Sequence, residues 1–70
     1  MLASQLPEAL NLCTTNGVIV KSILPGAKGH YNIVVLDCCI VYSNGEYSRV
    51  MQEEMFSTMQ ALQQYISDIR

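Results

Sequence analysis

Seventy residues allow one domain at most, taken here as 1–70, and a chain this short buries only about 60% of the surface that its unfolded form exposes. Half of the residues are apolar and only 14% are charged, which excludes a disordered chain and leaves little charge to solvate the outside. The net charge is −2, and Lys21, Lys28, Arg49 and Arg70 are the four basic residues, a poor complement for phosphates or an anionic membrane.

Residues 4–13 read as a short helix. Ser4 is the expected N-cap, Pro7 sits where a first turn tolerates it, and Glu8 suits the positive end of the helix dipole. Leu6, Leu10 and Cys13, with Ala9, form one apolar face. Asn16 and Gly17 accept the left-handed conformation that ends many helices. Residues 18–23 are β-branched and apolar, and Leu24-Pro25-Gly26 stops them, so a first strand is expected there. A turn rich in Pro and Gly follows over 25–29.

The run 31–43 has neither Gly nor Pro and carries Ile33-Val34-Val35-Leu36 and Ile40-Val41, a long central strand. Its length, about 43 Å at roughly 3.3 Å per residue, points to a bend, bulge or strand switch at Asp37. Asn44-Gly45 is the clearest local signal, a two-residue type I′ hairpin turn. It pairs Ser43 with Glu46, Tyr42 with Tyr47, Val41 with Ser48, Ile40 with Arg49 and Cys39 with Val50. Tyr42, Tyr47, Ile40 and Arg49 then share one face. The third strand is expected over about 46–50. Residues 53–69 read as an amphipathic helix, with Met55, Met59, Leu62, Ile66 and Ile69 in a stripe that Phe56 widens. Glu53 and Glu54 lie at its positive end and Arg70 at its negative end.

The expected fold is α+β: a short N-terminal helix, a three-stranded antiparallel meander with a long bent central strand, and a C-terminal amphipathic helix, in the order α-β-β-β-α. Both faces of the central strand are apolar, whereas an antiparallel sheet with one wet face should alternate. A homodimer is therefore expected, with a second subunit covering one face or pairing with an open edge. The element order alone resembles that of single-stranded-DNA-binding dimers of the transcriptional coactivator kind, which would imply nucleic-acid binding. The basic strands that such a role needs are missing.

Few residues suggest chemistry. Cys38 and Cys39 are adjacent, so in a strand they point to opposite faces and cannot chelate one ion. Three cysteines, two of them adjacent, do not make a secreted disulfide framework; they read as reduced thiols. No metal or cofactor is expected. His30 could join Asp37 and a Cys in nucleophilic catalysis only if the three came within hydrogen-bond reach. Pro25-Gly26-Ala27-Lys28-Gly29-His30 resembles a phosphate loop superficially, but a strand follows where a helix would be needed.

The best binding candidates are Tyr42, Tyr47 and Arg49 on one sheet face, with Lys21, Lys28 and His30 as a modest positive rim. The plain alternative, the more ordinary outcome for such residues, is an aromatic cross-strand pair that Arg49 covers as a cation–π contact. Met51, Met55 and Met59 read as core filler. No run reaches the roughly 18 apolar residues of a membrane span, and the N-terminal residues lack the basic and apolar regions of a signal peptide. The expected function is that of a cytoplasmic, homo-oligomeric interaction or regulatory protein that binds a protein partner and is not an enzyme. The alternative is a single-stranded nucleic-acid module using the Tyr42/Tyr47/Arg49 face.

Overall fold

A computed structural model of the protein describes residues 1–69; the expectation for Arg70 lies outside the described residues. The elements are α1 (Leu6–Thr15), β1 (Ile19–Pro25), β2 (Tyr31–Ser43), β3 (Glu46–Phe56) and α2 (Met59–Ile69), the expected α-β-β-β-α order. The strands form one antiparallel sheet with β2 in the centre.

A 3₁₀ turn over Ala3–Gln5 precedes α1, so Ser4 lies within that turn and does not cap the helix. The backbone N–H of Leu2 instead donates to Gln5 Oε1 at 2.9 Å. Pro7 sits in the first turn of α1 as expected. At the other end Gly17 takes φ 72°, and the Val18 N–H reaches back to the Cys13 carbonyl at 2.9 Å. That left-handed residue turns the chain from α1 into β1.

The hairpin forms in the expected register, from Ser43 with Glu46 to Cys39 with Val50. Asn44 and Gly45 have φ of 53° and 78°, the pair of positive values that a type I′ turn demands. Two boundaries differ from expectation. β3 runs to Phe56, and α2 begins only at Met59. Residues 51–56 continue the ladder against 33–38, because a strand as long as β2 offers backbone partners that outweigh local helical spacing. Glu53 and Glu54 are thus strand residues. Thr58 supplies the start signal, its Oγ1 accepting the Ala61 N–H at 3.1 Å.

Asp37 pairs with Gln52 in an unbroken register, with neither bulge nor turn between β2 and β3. The register shift lies in β1 instead, between Val20 and Ser22, which leaves Lys21 as the extra residue.

Both helices pack on the same side of the sheet. Ala9 and Cys13 from α1, Leu62 and Ile66 from α2, Ile33 and Val35 from β2, Phe56 and Met1 form one buried cluster. Ile33, Val35 and Phe56 belong to a single face of the sheet, since Ile33 and Phe56 are directly paired and Val35 lies two residues from Ile33. The Phe56 ring meets Tyr65 of α2 with centroids 4.9 Å apart. The Met1 ammonium donates to the Tyr31 carbonyl at 2.8 Å and to that of Ser57, tying the N-terminal residue to the base of β2 and the start of α2.

Candidate functional site

The opposite face of the sheet carries the other row of side chains: Val34 with Met55, Leu36 with Glu53, Cys38 with Met51, Ile40 with Arg49 and Tyr42 with Tyr47. Neither helix contributes to this face. Ile19, Ile40, Met51 and Met55 are each more than half exposed, and Tyr42 and Tyr47 are 75% and 70% exposed. Met51 and Met55 are therefore not core filler, and Met59 alone of the three packs against the buried cluster. Val34 is the buried residue of this row.

Charge on the outer face is local. Lys21, displaced by the β1 bulge, forms an ion pair with Glu53. Both partners are about half exposed, so the pair neutralises charge without adding much stability.

The six expected binding residues fall in three places. Tyr42, Tyr47 and Arg49 meet near the hairpin tip, as their register requires. Lys21 is at the β1 bulge. Lys28 and His30 lie in the turn before β2, where Lys28 takes φ 56°. From Tyr31 to Tyr42 an extended strand covers about 36 Å, so no common rim joins these groups. His30 forms an isolated bridge with Leu2 and borders an open groove of about 340 Å³ shared with Met1, Gln5, Thr58 and Met59. No cation–π contact of Arg49 with the tyrosines forms among the described residues.

β2 also divides along its length. β1 pairs with it only from Tyr31 to Leu36, so beyond Leu36 its sole neighbour is β3. Residues 37–43 and 46–52 thus project as a two-stranded arm, reaching about 20 Å past the three-stranded part. The molecule measures 46 × 24 × 16 Å, elongated accordingly.

Asp37 sits at the root of the arm, on the helix-packed face. Its Oδ1 accepts the Cys38 N–H at 2.8 Å. Beside it the Tyr65 hydroxyl is pushed up to about 12, first by burial, then by the neighbouring Asp37 carboxylate and by the charge of Glu54. Burial likewise raises the Cys13 thiol. Sequence reasoning placed Asp37 at a bend and missed Tyr65; the only signal was that an acid amid apolar residues needs a partner.

Cys13 is buried, Cys39 is half-buried and Cys38 is exposed, all three free. Among the described residues, no three His, Cys, Asp or Glu side chains come together as metal ligands. No helix is long and apolar enough to cross a membrane, among the described residues. His30 precedes β2, and the extended strand carries Asp37, Cys38 and Cys39 about 23 Å or more away from it, which separates the groups considered for nucleophilic catalysis. Comparison of the chain with protein-family models, with curated proteins and with solved structures finds no match.

Proposed function

We propose that the protein is a small homo-oligomeric interaction protein that acts by binding protein surfaces, not by catalysis. The observation that carries this reading is the helix-free face of the sheet, which presents Ile19, Ile40, Met51, Met55, Tyr42 and Tyr47 to solvent. An apolar surface of this kind is typical of protein–protein contacts. Its makeup suits one as well, since tyrosine, methionine and a single arginine are favoured in interfaces and excess charge is not.

The small size supports the same reading. One layer of two short helices stabilises one side of the sheet and leaves the apolar surface of the other side open to a binding partner. A cytoplasmic, reducing setting fits the three free thiols.

Sedimentation at micromolar concentration tests the proposal. A reversible dimer or higher oligomer is expected; a folded monomer at every concentration overturns it. Tyr42, Tyr47 and Arg49 also favour a second reading, stacking of single-stranded nucleic acid at the tip. It is the weaker one, because Lys21 is engaged by Glu53 and Lys28 is remote. Titration with single-stranded oligonucleotides separates the two: salt-dependent binding lost in Tyr42→Ala would favour nucleic acid.

A further inference from the structure

The sheet exposes three stretches of strand edge, and two of them are guarded. β1 carries the bulge at Lys21 and ends in Pro25, both devices that discourage strand addition. The outer edge of β3 carries Glu46, Arg49, Glu53 and Glu54. The third stretch, β2 beyond Leu36, holds one acid at its root, Asp37, and then Cys38, Cys39, Ile40, Val41, Tyr42 and Ser43, with no charge, proline or bulge.

Hairpin geometry decides which groups point out of that edge. A two-residue turn makes Ser43 and Glu46 a hydrogen-bonded pair, so 43, 41 and 39 direct their backbone groups toward β3. Cys38, Ile40 and Tyr42 direct theirs outward. The Cys38 N–H, free of β3, is the one taken by Asp37 Oδ1. The amides of Ile40 and Tyr42 and the carbonyls of all three remain for a partner.

We propose that a second copy of the chain pairs with this edge, β2 against β2, antiparallel about a two-fold axis at Ile40. This rests on the self-association proposed above and gives it a register. Ile40 exchanges both backbone hydrogen bonds with the partner's Ile40, each Tyr42 amide donates to the partner's Cys38 carbonyl, and the reciprocal bond from Cys38 N–H to the partner's Tyr42 carbonyl forms once Asp37 Oδ1 releases that N–H. Asp37 falls opposite the partner's Ser43, so no like charges face each other. The edge is its own complement in length, register and neutrality, which singles out a second copy as occupant. The two outer faces then join into one continuous sheet surface.

Three variants in sedimentation and oxidative trapping test this. Ile40→Pro removes an amide that β3 does not use, and should weaken the dimer by about tenfold or more while the hairpin stays formed. In Cys38→Ser/Val41→Cys, Cys39 meets the introduced thiol across the two-fold axis in a non-hydrogen-bonded pair, with Cα atoms about 4.5 Å apart, within disulfide range. Mild oxidation should trap a covalent dimer that Cys38→Ser alone does not form. Met55→Glu, on the outer face of the three-stranded part, should leave the dimer intact. A dimer that survives Ile40→Pro, is not trapped and is lost in Met55→Glu overturns the edge pairing and leaves the interaction reading standing. A wild-type chain that is monomeric throughout overturns both.

Discussion

The two halves of β2 are alike in composition and opposite in surroundings. Ile33, Val34 and Val35 at the base are buried, whereas Ile40 and Val41 in the arm are 51% and 45% exposed. The difference comes from neighbours: β1 ends its pairing at Leu36, and α1 and α2 pack over the base. Apolar character says that a residue should be covered; only the reach of other elements says whether the same molecule does it.

This contrast can be broken first in the core. Leu62→Ala, at a site with no exposure, should destabilise the fold by about 2–5 kcal/mol in urea unfolding, whereas Ile40→Ala in the dissociated chain should cost far less. Equal losses would mean that the arm is as fully packed as the base. Next comes Gly45→Ala, which forces a side chain into φ 78° and should cost about 1–2 kcal/mol, read from the same unfolding curves. Thr58→Ala removes the cap of α2 and should cost about 1 kcal/mol, with helix loss seen by circular dichroism. Glu53→Ala at the exposed ion pair should change stability by about 1 kcal/mol at most.

Alkaline pH sharpens the comparison differently. Cys13 and Tyr65 both hold their protons more tightly in the folded chain, so each contributes stability that is complete below its unfolded value and lost as pH rises. Stability should decline from about pH 9 as Cys13 is lost, and further between 10 and 12 as Tyr65 ionises. Tyr65→Phe should flatten the upper part of that decline; an unchanged profile would remove Tyr65 from the account.

Much of the fold was legible because it rests on local chemistry. Asn44-Gly45 set the hairpin register residue by residue, since few other pairs accept two positive φ values. The two-sided apolar pattern of β2 was equally visible. The boundary between β3 and α2 was not. Met55 and Phe56 stand at helical spacing from Met59, and only pairing with Val34 and Ile33, distant in sequence, makes them strand. The length of β2 held the clue, because a long strand needs a long partner. Of the candidate site, the cluster of Tyr42, Tyr47 and Arg49 followed from the turn. The separation of Lys21, Lys28 and His30 from it did not, because it depends on where β1 stops and on the length of β2.

Amide hydrogen exchange at Ile40 and Tyr42 tests the central claim most directly. If a second copy completes the arm, both amides exchange slowly at high protein concentration and lose that protection on dilution, while Cys39 and Val41, bonded within the hairpin, change less. Fast exchange of Ile40 and Tyr42 at every concentration would contradict it.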